Sequence, residues 1–154
     1  MDLQVLRQID LFRNLDAVQL AHVASLMEER VVRRGTVLFR EGEAADSFYV
    51  IYKGKVRISK VIAGIGEEAL AILDEGSYFG EMELIDPNIP RAAQATAHED
   101  CILQVFRVAD FHNLMNSDLQ LGLAILWSFV RTLAGRLRNT NDKVTAFFAM
   151  AKFG

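Results

Sequence analysis

From Val31 to Phe106 glycines cut the chain into short β-rich runs, and this punctuation restricts the fold more than any other feature of the sequence. Val31-Val32, Val37-Leu-Phe39, Phe48 to Tyr52, Val56 to Val61 and Ala69 to Leu73 are separated by Gly35, Gly42, Gly54, Gly64-Ile-Gly66 and Gly76. Short β-favouring runs at regular spacing, each followed by a turn residue, predict an antiparallel sandwich or barrel. Tyr52-Lys53-Gly54-Lys55 predicts a tight hairpin with a positive φ at Gly54. Gly64-Ile65-Gly66 resembles a nucleotide loop only superficially: a strand-like run follows it instead of a helix, so it is expected to be a hairpin loop. Arg91 to Ala97 and Cys101 to Arg107 read as two further strands joined by His98-Glu-Asp100.

Helical periodicity flanks this region on both sides. Residues 2–30 are expected to be helical: Leu6, Ile9 and Leu11-Phe12 form a short amphipathic piece, and Asp16-x-x-Gln19 reads as a capping box that opens a helix with Leu20, Val23, Ala24 and Met27 on one face. After the strands, 108–115 reads as a short helix, and Ser117-x-x-Gln120 is a candidate cap for a long one from about Asp118 to about Val144. Leu119, Leu123, Leu126, Val130, Leu133 and Leu137 step by 4, 3, 4, 3, 4 along it, and Thr140, Val144 and Phe147 continue the register. A helix packed on its own barrel accounts for such a stripe. A seam between two copies accounts for it too, and the flanking bulk of Trp127 and Phe129 widens the apolar face enough to serve two neighbours.

A chain of 154 residues, 51% hydrophobic and 24% charged, is sufficient for one globular domain with a proper core. Its net charge of −3 argues against a protein devoted to polyanion binding, so no DNA contact is expected. The single Cys101 lies in a strand-like run and reads as buried and inert. No apolar stretch reaches the roughly 18 residues of a membrane span and no signal sequence opens the chain, so a cytoplasmic protein away from membranes is expected.

Enzymatic constellations are lacking. His22, His98 and His112 have no metal-ligand spacing, and the His-x-His strand pair of a cupin is missing, so no metal is expected. No serine lies in a nucleophile elbow and no Cys–His pair is in view. Among Glu67, Glu68, Glu81, Glu83 and Asp86, the first two read as a solvated strand end and Asp86 before Pro87 as turn chemistry. What remains is 76–93, Gly-Ser-Tyr-Phe-Gly-Glu-Met-Glu-Leu-Ile-Asp-Pro-Asn-Ile-Pro-Arg-Ala-Ala. Backbone N–H groups freed by Gly80 and by a one-turn helix starting near Glu81, with Arg91 to close on them, outline an anion site.

Phe79-Gly80-Glu81-Met82-x-Leu84-Ile85 followed by Pro90-Arg91-Ala92-Ala93 resembles the phosphate cassette, here 78–93, of the cyclic nucleotide-binding domain. That domain is shared by the bacterial catabolite activators, the regulatory subunits of cyclic-AMP-dependent protein kinase and cyclic-nucleotide-gated channels. The glycines at 35, 42, 54, 76 and 80 also fall where that fold turns. The resemblance implies a single domain over 1–154: N-terminal helices in 1–30, an antiparallel β-barrel or jelly roll over 31–107, and C-terminal helices over 108–147 that include a dimerisation helix. It further implies that Glu81 accepts the ribose 2′-hydroxyl, that Gly80 and Met82 lend backbone donors beside Phe79, and that Arg91 pairs with the cyclic phosphate next to Ala92 and Ala93. One departure stands out. Glu83 occupies a position that is usually small, and an orientation towards solvent is expected for it.

Ala134-Gly-Arg-Leu-Arg-Asn-Thr-Asn-Asp-Lys-Val144 is similar to the end of the catabolite activators' dimer helix, which adds Arg136, Thr140 and Asn141 to the expected ligand set. Thr140 would contact the base and Asn141 the ligand of the other subunit. Ala92 tilts the base towards adenine. The implied protein is a non-enzymatic sensor of cyclic AMP, in preference to cyclic GMP, that forms a homodimer and signals through its C-terminal helix to an unspecified partner. In the catabolite activators this helix leads into a helix-turn-helix. With Gly154 only ten residues past Val144, that part is expected to be missing. Two rivals share the fold: a dimerising module that no longer binds nucleotide, for which Glu83 speaks, and a transcription regulator cut short.

Overall fold

The computed structural model describes residues 2–153, with the side chain of Glu83 excepted. Two four-stranded antiparallel sheets face each other. One has the order β1-β8-β3-β6, formed by Glu28–Val32, Cys101–Arg107, Ser47–Lys53 and Tyr78–Phe79; the other has the order β2-β7-β4-β5, formed by Val37–Phe39, Gln94–Ala97, Val56–Ile62 and Gly66–Leu73. This is an antiparallel sandwich of the kind expected from the glycine punctuation, in the jelly-roll form that the resemblance implies, and the inner faces close on Phe39, Tyr49, Ile51, Val56, Phe79, Ala95 and Leu103. At the β3–β4 hairpin Gly54 has φ +90°, and a Cβ there would lie 2.5 Å from the Asp100 carbonyl oxygen. Only glycine fits that crossing. Gly64 and Gly66, both at positive φ, turn the chain between β4 and β5.

Helices cover one end. α1 (Leu3–Leu6), a 3-10 turn (Asp10–Phe12) and α2 (Ala17–Ser25) pack Leu6, Leu11, Phe12, Leu20 and Val23 against Phe48, Phe106 and Phe111. The Asp16/Gln19 capping box forms in both directions. The helical region is shorter than 1–30, however, because β1 begins at Glu28. Its first four residues are exposed and charged or β-branched, so pairing with β8 as an edge strand makes it β, without an apolar pattern to announce it. The strand expected from Arg91 begins only at Gln94.

α4 (Val108–Ser117) is followed at once by α5 (Leu119–Phe153). The cap between them is Asp118, whose carboxylate accepts from the Leu121 N–H at 3.1 Å; Ser117 instead donates to the Leu114 carbonyl, so the Ser117/Gln120 box does not form. α5 also continues well past the expected ends at Val144 and 147. Ala146, Ala149 and Ala151 favour helix, and no glycine or proline interrupts the stretch.

The long helix has two apolar faces. Leu121, Ile125 and Phe129 join the core, with Phe129 edge-on to Tyr78. Leu119, Leu123, Leu126, Val130, Leu133 and Leu137 lie roughly a third of a turn round from these and are 38–76% exposed. Phe129 therefore belongs to the barrel-facing set and does not flank the stripe as expected. Trp127, by contrast, is exposed beside it. Among the described residues no helix is long and apolar enough to cross a membrane.

Candidate functional site

β6 delivers Tyr78 and Phe79 into the two sides of the core, and the chain then turns sharply at Gly80, φ +74°. A Cβ at this position would stand 2.6 Å from Arg91 Nη1. The glycine thus permits both the backbone conformation and the close approach of the guanidinium. Glu81 follows as the N-cap of α3 (Met82–Ile85), and its side chain makes no capping hydrogen bond to that helix. It points instead across to α5, where Arg136 Nη1 donates to Glu81 Oε1 at 2.6 Å. Glu81 is 4% exposed, a burial that a carboxylate tolerates only with a charged or strongly hydrogen-bonding partner.

Arg91 arrives at the same place from the other direction. It is also 4% exposed; Nη1 donates to the Gly80 carbonyl at 3.1 Å, Nη2 to the Ser47 carbonyl at 2.7 Å, and the guanidinium lies 4.0 Å from the centre of the Phe39 ring. A buried guanidinium held by carbonyls and an aromatic face has a fixed direction, which presents positive charge at one spot.

Between these groups opens a cavity of ≈ 470 Å³. Phe79, Gly80, Glu81, Met82, Arg91, Ala92 and Ala93 form its closed end; Ile58, Ala71 and Leu73 give it an apolar side; Arg136, Asn139, Thr140 and Lys143 of α5 form the far wall. The volume is within the about 300–1,000 Å³ usual for small-molecule sites, and apolar walls with a few convergent charged groups are typical of them. A single anionic group suits the Arg91 end, and a hydroxyl suits the free lone pairs of the Glu81 carboxylate, since two carboxylate oxygens offer about four acceptor positions. The chemistry of the wall therefore fits a phosphorylated sugar bearing an apolar-faced base.

The cavity gathers nine of the ten expected site residues. Asn141 is the exception: it lies about 140° round α5 from Arg136, away from this chain's own cavity. Asn139 and Lys143 line the cavity and were not expected. The signal that could have found them is spacing, because 136, 139, 140 and 143 follow the i, i+3, i+4, i+7 pattern of one helix face. The expected outward orientation of Glu83 lies outside the described residues. Near the site, burial pushes the Tyr78 hydroxyl pKa up.

The other candidate groups stay apart. Cys101 is buried with its thiol pKa raised by burial, as expected of an inert cysteine. Glu67, its carboxyl held low first by the nearby Ser59 hydroxyl and then by Arg57, belongs to a cross-strand pair with Arg57 at 3.1 Å. His112 contacts the Leu84 carbonyl through Nε2, and no cluster of metal-ligating side chains is found among the described residues.

The family model described as the cyclic nucleotide-binding domain matches residues 29–118. The chain belongs to that family. This cyclic nucleotide-binding domain is 34% identical over 108 residues to the cAMP-dependent protein kinase regulatory subunit of Mycosarcoma maydis, a match covering 68% of this chain and 20% of that protein. It is 29% identical over 141 residues to the CRP-like cAMP-activated global transcriptional regulator of Mycobacterium tuberculosis (strain ATCC 25618 / H37Rv), covering 92% of this chain and 61% of that one. The chain thus spans only part of the length of either relative. Among solved structures, the N-terminal domain of a transcriptional regulator from Streptomyces coelicolor A3(2) superposes with a TM-score of 0.75 at 34% identity, covering 91% of this chain and 94% of that one.

Proposed function

We propose that this domain is a sensor of cyclic nucleotide, cyclic AMP in preference to cyclic GMP, that passes occupancy on through α5 and works without catalysis. The observation that carries the reading is the burial of Glu81 and Arg91 at the closed end of one cavity whose opposite wall is α5. Arg91 takes the cyclic phosphate, the Gly80 and Met82 amides assist it, and Ala92 and Ala93 leave room for the ligand. Glu81 accepts the ribose 2′-hydroxyl with the lone pairs that Arg136 leaves open, and Thr140 meets the base. Because Arg136 grips the same carboxylate, ribose binding and the position of α5 are mechanically joined. The preference for adenine is supported by Ala92 and by the names of the two relatives above.

The exposed stripe from Leu119 to Leu137 supports a homodimer through α5, in which Asn141 reaches the partner's ligand. A downstream partner would then sense the α5 pair. The rival, a dimerising module that binds no nucleotide, is separated from this reading by titration.

Isothermal titration of the chain and of Arg91→Ala with cyclic AMP provides the test. Removing a charge-assisted phosphate contact costs about 2–5 kcal/mol, so affinity should fall at least tenfold. Thermal unfolding of both proteins, run alongside, separates this loss from any loosening caused by the missing bonds to Ser47 and Gly80. Equal affinity in the two proteins would remove Arg91 from the phosphate site, and a flat titration of the parent with both cyclic nucleotides would favour the rival.

A further inference from the structure

A second polar cavity, of ≈ 260 Å³, opens where α5 packs on the 3-10 turn near the N-terminus, on residues that the nucleotide cavity does not use. Asp10, Arg13 and Asn14 line it from the turn, and Ser128, Arg131 and Thr132 from the helix. Leu11 and Phe12 anchor the turn in the same core that holds Ile125 and Phe129 of α5. The three helical residues, at i, i+3 and i+4, share one face, so core packing fixes what stands opposite them.

Two features say what this cavity suits. Arg13 is paired with the Asp10 carboxylate, while Arg131 has no ion pair among the described residues, so one positive charge is left over. A guanidinium has five N–H donors, and Arg13 keeps several beyond those turned to Asp10. The second feature is Ser128, which is 5% exposed and whose Oγ has no hydrogen-bond partner among the described residues. A serine inside a helix commonly turns its hydroxyl back to the carbonyl one turn earlier, and a buried hydroxyl left unpaired is a cost that native structures rarely carry without a reason.

Donors therefore converge from two elements: guanidinium groups from both, an amide from the turn, and hydroxyls from the helix. A cation would meet two guanidiniums, and an apolar molecule would leave the hydroxyls and the amide unpaired. An anion with oxygens pointing in several directions meets donors on both walls at once. We propose that this cavity is a second anion site, taking a small phosphate-class oxyanion that bridges Arg13 of the N-terminal turn and Arg131 of α5 and gives Ser128 Oγ its partner. Such an anion ties α5 to the N-terminal turn at a level separate from the Arg136 tether to Glu81.

Isothermal titration of the full chain with inorganic phosphate, in a phosphate-free buffer at constant ionic strength, tests this, with Arg131→Gln and Ser128→Ala titrated beside it. Arg131 is exposed, so its replacement leaves the fold intact, and the constant ionic strength removes general screening. The parent should bind phosphate, and Arg131→Gln should weaken it by about tenfold or more, the loss of one charge-assisted contact. Ser128→Ala should weaken it by about threefold or more. Without phosphate, Ser128→Ala should unfold at a temperature no lower than the parent, because its hydroxyl has no partner to lose. Phosphate captured by Arg91 instead would bind Arg131→Gln as tightly as the parent, and that result overturns the proposal. So does a parent that binds no phosphate at millimolar concentration, or a Ser128→Ala protein that binds it as the parent does or is less stable than the parent without it. The cyclic nucleotide reading is untouched by any of these results.

Discussion

Glu81 carries two obligations in one buried carboxylate: it holds Arg136 and has capacity left for a hydroxyl. Substituting alanine would therefore remove both the tether to α5 and the ribose acceptor, and the two effects have different signatures. Glu81→Ala should lose about 1.5–3 kcal/mol of affinity for cyclic AMP, tenfold or more, while binding of the 2′-deoxy analogue changes far less. The parent should prefer the ribonucleotide and the variant should show almost no preference, as measured by competition titration with both ligands. A variant that still discriminated against the deoxy compound would move the 2′-hydroxyl away from Glu81. Burial is what makes this residue informative, because an exposed carboxylate in the same sequence position would cost little to desolvate and little to lose.

At the scale of the element, α5 matters because it has two apolar faces, one packed into the core and one exposed. Phe129 is 2% exposed and stacked edge-on against Tyr78, whereas its neighbour Val130 is 55% exposed. Phe129→Ala should cost about 3–5 kcal/mol of folding stability, measured by chemical denaturation, because it empties a packed core site. Val130→Glu should leave monomer stability within about 0.5 kcal/mol yet abolish self-association in analytical ultracentrifugation, since a charge is placed in the middle of the stripe. A Val130→Glu protein that still dimerised would end the case for this seam. So would a parent that stays monomeric throughout.

For the whole molecule, the cavity and the exposed stripe share one helix, and Thr140 belongs to both registers: it lines the cavity and continues the stripe of Leu133 and Leu137. If the chain pairs through that stripe as proposed, ligand binding and self-association are linked, and linkage is reciprocal: cyclic AMP would tighten the dimer by the factor by which pairing tightens cyclic AMP. A dilution series in the ultracentrifuge, with and without saturating cyclic AMP, should show the dissociation constant of the dimer falling by about 5–150-fold for a coupling of typical size. Thr140→Ala should reduce that factor. An identical dimer constant with and without ligand would show that α5 does not transmit occupancy.

The glycine punctuation, the Asp16/Gln19 box and the Gly80-Glu81/Arg91-Ala92-Ala93 pattern are local, and local chemistry is enough to specify turns, a helix start and the residue types of an anion site. For that reason an antiparallel sandwich and the closed end of the cavity were legible in the chain, the jelly roll itself only through the resemblance. The first part of strand β1, Glu28 to Arg30, was not, because these residues are exposed and charged and become a strand only by pairing with β8. Nor was the division of labour on α5. A leucine heptad states that a face is apolar and leaves its partner open, and only packing decided that Leu121, Ile125 and Phe129 meet the barrel while Leu119 to Leu137 remain outside. The Glu81–Arg136 pair and the arrival of Asn139 and Lys143 at the cavity likewise join residues more than fifty positions apart. Such contacts depend on where the barrel sets the start of α5, a property of the assembled core that no stretch of the sequence contains.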